Sequence, residues 1–389
     1  PSYLLWLLML FGILGNDGVS VALLVLAVGL ACWIWLPGGR ADVIALWRSQ
    51  RVLIIFYELL FAVALVVWAV VRAYDPNIAG TEKPMEFAFL NSILRSPQFP
   101  PVDPWLAGYS ISYYYFGYIM VAALTHLSGI ASSVAFNLAL ALLFALAVGG
   151  AFSLGYNLAS GVRRARQTET ETGVPQLPPG GPVLAGLLTS VFLVLLGNLE
   201  GLIEVLNSRG MLGQDLWKWV HIKDLPAPYV SPTGFPNDNW WWWRASRVVG
   251  DFDPPTGPTV DYTINEFPFF SFNLGDLHPH VLALPFGLLA VALCLNLWRC
   301  DEQLDIDWLR RRWHEFAVVA LALGALGFLN PWDLPTYLGL FIVTFLLRGL
   351  RRGGFTFVHL GQTVALGLLM LVAALLLYFP FYIGFSSQA

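Results

Sequence analysis

The stretch Val134–Ala159, VAFNLALALLFALAVGGAFSLGYNLA, runs without a single charged side chain. A helix needs about 20 mostly apolar residues to cross the hydrocarbon of a bilayer, and this run exceeds that. The whole chain shares its character: 57% of its 389 residues are hydrophobic and 12% charged, against about 25% charged in a soluble domain. A water-soluble fold would leave much of that surface exposed as apolar patches, whereas lipid accepts it. The net charge of -4 carries no basic patch interleaved with aromatics, so no nucleic acid partner is expected. Cys32, Cys294 and Cys300 lie in or beside apolar runs and form no Cys-x-x-Cys pair, which argues against a zinc site or a disulfide framework.

Eight more apolar runs accompany the first: Tyr3–Leu14, Val21–Leu36, Val52–Val71, Val183–Leu199, His278–Trp298, Phe316–Leu329, Leu334–Leu347 and Phe357–Phe379. Several are short, so their ends extend into polar flanks or tilt. Arginines set the orientation. Arg40, Arg48 and Arg51 mark one connection, Arg163, Arg164 and Arg166 a second, Arg299 with Arg310, Arg311 and Arg312 a third, and Arg348, Arg351 and Arg352 a fourth. All four are expected on the cytoplasmic side. Tyr113–Leu127 is apolar enough to look like a crossing, but counting it would move Arg163–Arg166 outside and invert everything downstream. Tyr113–Ser128 is therefore expected to stay on the outer side as a re-entrant or interfacial helix. Its three successive tyrosines suit the headgroup layer.

The fold class predicted is an all-α, polytopic integral membrane bundle of about nine spans, multi-pass in the cytoplasmic membrane. Residues 1–389 read as one transmembrane domain. Within it, 72–133 form a first outer loop with juxtamembrane helices, 160–182 a flexible cytoplasmic linker and 206–277 a second outer loop. Long loops are uncommon unless functional or disordered, and the aromatic content of these two makes disorder the poorer reading. The chain opens on Pro1 with membrane-like sequence at once and shows neither the basic region nor the cleavage site of a signal peptide, so it reads as one stretch of a longer chain.

The polar clusters fall in the outer loops. Thr81-Glu82-Lys83-Pro84-Met85-Glu86 sets two carboxylates four apart, on one face of a helix. Such a pair suits a general base, a divalent-ion site, or a solvated loop with a weak ion pair. Pro100-Pro101-Val102-Asp103-Pro104-Trp105 follows. In the second loop, Asn239-Trp240-Trp241-Trp242-Trp243-Arg244-Ala245-Ser246-Arg247 offers a stacking wall with Arg244 and Arg247 as phosphate partners, or an interfacial aromatic belt. Glu266 precedes Asp276, His278 and His280 at the start of a span, where an acid/base group, a metal site or hydrogen-bonded structural residues are alternatives. Asp333, in Asn330-Pro331-Trp332-Asp333, either points into the same cavity or caps a helix. No phosphate-cradling glycine loop, nucleophile elbow or kinase set is present.

Thr81–Glu86, Pro100–Trp105, Tyr113-Tyr114-Tyr115-Phe116-Gly117, Trp241–Arg247, Glu266–His280 and Asn330–Asp333, taken in order, resemble the Chlor_Arch_YYY family of hydrophobic membrane proteins named for a YYYxG motif. The layout is similar to that of the GT-C superfamily of lipid-phosphate-dependent glycosyltransferases. That resemblance implies a polyprenyl-phosphate-linked sugar donor, an acceptor at the outer face, and a loop carboxylate acting as base or as ligand to a divalent cation (Mg or Mn). Glu82 or Glu86 takes that position. The superfamily's acidic pair directly after the span is replaced here by Tyr74-Asp75, which leaves the base open between the two glutamates. Substrate contacts are then expected from Lys83, Asp103, Tyr113, Tyr114, Tyr115, Trp241, Trp242, Arg244, Arg247, Glu266, Asp276, His278, His280 and Asp333, all meeting above the bilayer. Membrane lipids are the remaining partner. Two rival readings stay open: a non-catalytic scaffold or assembly subunit, and a transporter with Asp276, His278 and Asp333 lining a path. The transporter reading is poorly served by spans whose only acids are Glu58 and, near an end, Glu200 and Glu204.

Overall fold

The computed structural model describes residues 1–35, 39–168, 180–213, 215–216, 219, 229–238, 241–252, 259–302, 304, 306–354 and 356–386. Residues 169–179 of the predicted linker, together with Asn239 and Trp240, lie outside them. Two units are distinct: unit 1 is Pro1–Leu154 with Asp276–Ala389, and unit 2 is Gly155–Gly275.

The elements described in unit 1 are helices, with one isolated antiparallel bridge between Val102 and Ser110. The first part of the unit holds α1 (Ser2–Leu10), α2 (Gly18–Trp35), α3 (Gly39–Tyr74), α4 (Lys83–Arg95), α5 (Phe116–Ser128) and the beginning of α6 (Ser132–Thr168). Local chemistry sets the ends. Pro84 starts α4, with Glu86 in its first turn and Arg95 in its last, each charge facing the favourable end of the helix dipole. Gly129 ends α5 in the left-handed conformation, its N–H donating to Thr125 O at 2.9 Å. With 13 residues, α5 spans about 20 Å against the roughly 30 Å of a bilayer core. It is too short to cross. One face, with Phe116, Tyr118, Ile119 and Ala122, is buried, while Leu124 and Leu127 on the other are exposed.

In α6, Ala141, Ala145, Ala147 and Ala151 are buried, and these small side chains let large neighbours approach. Phe144 stacks on Trp68 of α3 at 4.1 Å, and a Cβ on Gly149 would stand 2.7 Å from the Tyr57 hydroxyl. The opposite face of α3 presents exposed Leu59, Val63, Val66 and Val70, a stripe that only lipid covers at no cost.

The second part of unit 1 holds α10 (Pro279–Arg299), α11 (Ile306–Arg311), α12 (Trp313–Leu329), α13 (Asp333–Gly353), α14 (Phe357–Leu377) and α15 (Phe379–Gly384). Thr356 caps α14 by accepting the His359 N–H at 3.1 Å. Phe328 anchors the core, meeting Phe381 at 3.9 Å, Tyr115 at 4.8 Å, and Trp6 and Phe116 at 5.1 Å. Gly324 marks the closest helix approach there. A Cβ would lie 2.7 Å from the Tyr378 ring and 2.9 Å from Ala374 O of α14. Gly324→Ala is expected to cost about 1–3 kcal/mol, the usual penalty of overpacking a close contact. Thermal unfolding in detergent checks this, and an unshifted transition would mean that the two helices yield.

Unit 2 continues from the end of α6 into α7 (Gly181–Val191), a π-helical turn at Phe192–Leu196, α8 (Glu200–Ser208), a 3-10 turn at Trp241–Ser246, an antiparallel pair β1 (Val249–Phe252) and β2 (Thr259–Thr263), and α9 (Pro268–Leu274). The chain bends by 66° between the π-helical turn and α8. Gly197 (φ +55°) and Leu199 (φ +63°) make that break, the first with no room for a Cβ beside the Phe267 ring.

Among the described residues, five helices are long and apolar enough to cross a membrane, or six if the bent pair counts as one span. Three of the other predicted crossings correspond to shorter apolar helices. They are α2, described as 18 residues over Gly18–Trp35, α12 over Trp313–Leu329, and α1 with 9 residues. Hydropathy measures apolar run length, and tertiary packing shelters short apolar helices as readily as lipid does.

Candidate functional site

A left-handed turn at Gly80 (φ +76°) and Thr81 (φ +50°) delivers the chain into α4. Glu82 becomes its N-cap residue, and Glu86 follows one turn later. The two carboxylates have opposite surroundings. Glu82 keeps half its side chain exposed, whereas Glu86 is 0% exposed. Oε2 of Glu86 accepts the Leu277 N–H at 2.6 Å, and Oε1 finds no hydrogen-bond partner among the described residues. Burial, with Asp276 beside it and Glu82 adding to the effect, pushes this carboxyl up to about 9. This direction favours the protonated form of Glu86, with Oε1 placed to carry the proton.

Glu82 is oriented by a histidine pair. His278, the N-cap residue of α10, sets Nε2 3.2 Å from Glu82 Oε2. Its Nδ1 lies 2.5 Å from Nδ1 of His280, the two rings being 4.5 Å apart at an interplanar angle of 48°. A neutral arrangement satisfies both contacts: Nε2–H of His278 donates to Glu82, and Nδ1–H of His280 donates to His278. Asp333, the first residue of α13, is within electrostatic reach of His280.

Two buried cations complete the cluster. Lys83 is held below its usual range by burial and then by Arg72, with Asp75, Asp276 and Glu86 acting the other way. Arg72, in the last turn of α3, donates Nε–H to Asn137 Oδ1 at 3.1 Å, and its Nη2 has no hydrogen-bond partner among the described residues. Tyr113 borders Glu82 and Glu86 and is raised by burial first and by those carboxylates second. Tyr118 brings a buried hydroxyl, also without a partner among the described residues, into reach of Glu86.

Other predicted residues have local roles. Tyr114 stacks on Tyr113 at 5.0 Å, and Tyr115 is buried against Phe328. Asp103 Oδ1 accepts the N–H groups of Trp105 and Leu106, both at 2.8 Å, closing its own turn. Arg72 and Tyr118 escape a reading of the sequence. The signal for Arg72 is its position, at the opposite end of a span from the arginine-rich connection.

Unit 2 holds a separate polar cluster. In α8, Glu200, Glu204, Asn207 and Ser208 share one stripe and are all buried, while Leu202 is exposed. This inverts a soluble amphipathic helix and fits a lipid-facing exterior. Glu204 accepts both Nε–H and Nη2–H of Arg244, the latter at 2.9 Å, and Asp238 accepts Nη1–H at 2.6 Å and Nη2–H at 3.1 Å. Arg244 holds Asp238 below the usual carboxylate range. Trp241 lies against Gly201, Trp242 and Trp243 pack on Phe270, and Arg247 sits 4.6 Å over Trp243. Glu266 accepts from the Ser271 hydroxyl at 3.1 Å.

A protein-family model described as "Uncharacterized membrane protein (DUF2298)" matches residues 1–389. The chain belongs to this family. No curated protein and no solved structure matches it. Among the described residues of this family member, no group of three or more His, Cys, Asp and Glu is arranged to hold a metal ion. The divalent cation implied by the sequence resemblance therefore has no ready-made ligand set among these residues.

The proton on Glu86 has a measurable consequence. The folded carboxyl binds it more tightly than the unfolded one, whose ordinary value is 4.5, so its contribution to stability is complete below about 4.5 and is lost as pH rises through about 9. Stability is expected to decline across that window. Glu86→Gln is expected to flatten the decline, since an amide does not titrate. Unfolding temperatures of both proteins across the window check this, and parallel slopes would assign the pH dependence to other groups.

Proposed function

We propose that the chain is a membrane glycosyltransferase of the GT-C type, using a polyprenyl-phosphate-linked sugar donor at the outer face of the membrane. The observation that carries this reading is the division of labour between two carboxylates one helical turn apart. Glu82 is half-exposed and oriented by His278, as a general base must be, while Glu86 is buried and favours its protonated form. The resemblance left the base open between them, and this geometry favours Glu82.

In the reaction, Glu82 takes the proton of the acceptor hydroxyl as its oxygen attacks the anomeric carbon of the donor sugar. The new C–O bond forms while the bond from that carbon to the phosphate oxygen breaks, and the lipid phosphate leaves with the electron pair. Inversion at carbon follows from this single displacement. His278 steadies Glu82 by donating Nε2–H to it, and His280 fixes that tautomer of His278 through the Nδ1 contact. Lys83 and Arg72 supply positive charge for the leaving phosphate. Arg72 ends a span, the depth at which the phosphate of a lipid with its tail in the bilayer resides.

The test is transfer of a radiolabelled sugar from a polyprenyl-phosphate donor to a panel of outer-face acceptors by the protein in liposomes. Product formation that depends on Glu82 supports the reading. Full activity in Glu82→Gln rejects this mechanism, and no product with any acceptor favours the non-catalytic scaffold.

A further inference from the structure

At the arginine-rich end of unit 1, far along the helices from Glu82, lies a cavity of about 760 Å³. That size is within the roughly 300–1,000 Å³ of ligand sites. Its walls come from four helices of the second part of unit 1 and from α11, with Leu297, Val319, Phe345, Leu366 and Met370 as representative side chains. Phe341, Phe345 and Met370 are buried at its floor, whereas Val318, Ala365 and Leu369 are exposed along its sides. It is a deep groove between helices that opens toward lipid.

The chemistry changes along the cavity. Deep within, it is aliphatic and aromatic, whereas near the helix ends Asn296, His314, Glu315 and Gln362 line it. Trp298, Trp308 and Trp313 cluster at the same end, the pattern of side chains at headgroup depth. Around this mouth, residues 299–315 and 348–352 carry seven arginines and five acids, an excess of two positive charges.

Ion pairing leaves that excess in identifiable places. Arg312 pairs with Glu302 and Glu315, Arg310 with Asp307, and Arg352 with Asp301. Arg348 donates to the Cys300 and Glu302 carbonyls. Arg351 lies 5.3 Å over the Trp298 ring and, like Arg311, has no carboxylate partner among the described residues. An apolar groove between membrane-spanning helices, ending at headgroup depth beside surplus guanidinium groups, matches one class of molecule.

We infer that this cavity binds an anionic phospholipid, an acyl chain entering between α10, α12, α13 and α14 and the phosphate resting by Arg311 and Arg351. The site is separate from the Glu82 cluster and does not depend on glycosyl transfer. Lipid bound there ties the ends of four helices together and links their packing to the composition of the arginine-side leaflet.

The test uses the full chain in nanodiscs of mixed phosphatidylglycerol and phosphatidylcholine, followed by detergent extraction and native mass spectrometry. The native chain is expected to retain about one phospholipid through a delipidating wash, with phosphatidylglycerol preferred by about fivefold for each arginine engaged. Ala365→Trp, which fills the cavity from its wall, is expected to lose the retained lipid while keeping its helix content by circular dichroism. The double variant Arg311→Gln/Arg351→Gln is expected to keep a lipid and lose the preference for phosphatidylglycerol. It serves alone if the tryptophan variant does not fold. Retention in the native chain no greater than in the filled variant, or a phosphatidylglycerol preference unchanged in the arginine variant, overturns the inference.

Discussion

Glu82→Gln is expected to lower turnover about 10²–10⁴-fold, the usual contribution of a positioned general base. The substitution is nearly isosteric, and the amide oxygen still accepts from His278 Nε2, so orientation survives while proton acceptance is lost. Glu86→Gln is expected to retain turnover within about tenfold, because burial already favours the protonated form of that carboxyl. The contrast between the two variants is the informative result. Equal losses would mean that both carboxylates act on the proton in flight, and equal retention would remove acid/base chemistry from this cluster. His280→Gln provides a finer readout. With the Nδ1 contact altered, kcat is expected to fall and its pH profile to move while the KM for donor stays put, a split that a purely structural histidine would not produce.

The largest stability effect is expected from Arg244→Ala. Arg244 lies between Glu204, buried to 1% exposure, and Asp238, which is nearly half exposed. Removing the cation strands the Glu204 carboxylate inside unit 2, and breaking a buried pair from one side costs about 3–5 kcal/mol. Most of that cost is an uncompensated charge rather than a lost attraction. Adding Glu204→Gln to Arg244→Ala is therefore expected to recover more than half of the loss, although it removes a second polar group. Chemical or thermal unfolding of the three proteins in one detergent decides it. A loss below about 1 kcal/mol for Arg244→Ala, the range of an exposed pair, would show that the cluster is solvated.

What the sequence made legible follows from the range of the forces involved. Glu82 and Glu86 are recognisable as a pair because one helical turn separates them, and the span Val134–Ala159 because hydropathy is a sum over neighbours. The difference between the two glutamates was hidden. The Glu86 carboxyl is pushed up first by burial and then by Asp276, about 190 residues away in the chain, while the Leu277 N–H acts the other way. Arg72 passed as the end of a span, since only folding sets it beside Lys83 and Asp276. The tryptophan run read as either a stacking wall or a belt, and packing makes it a turn whose rings lean on Gly201 and Phe270. The paired acids on α8 looked like the tail of a crossing, although the chain breaks by 66° before them and turns their stripe inward.

By itself, the sequence determined that the chain is a helical membrane protein and where most of its helices run, because the partition of apolar residues between water and lipid is decided within about 20 neighbours. Tertiary structure alone decided which of the two glutamates is buried, which arginines pair with internal carboxylates, and where a lipid-sized groove opens. Those properties depend on burial and on charges brought together from distant parts of the chain, and neither exists until the helices pack.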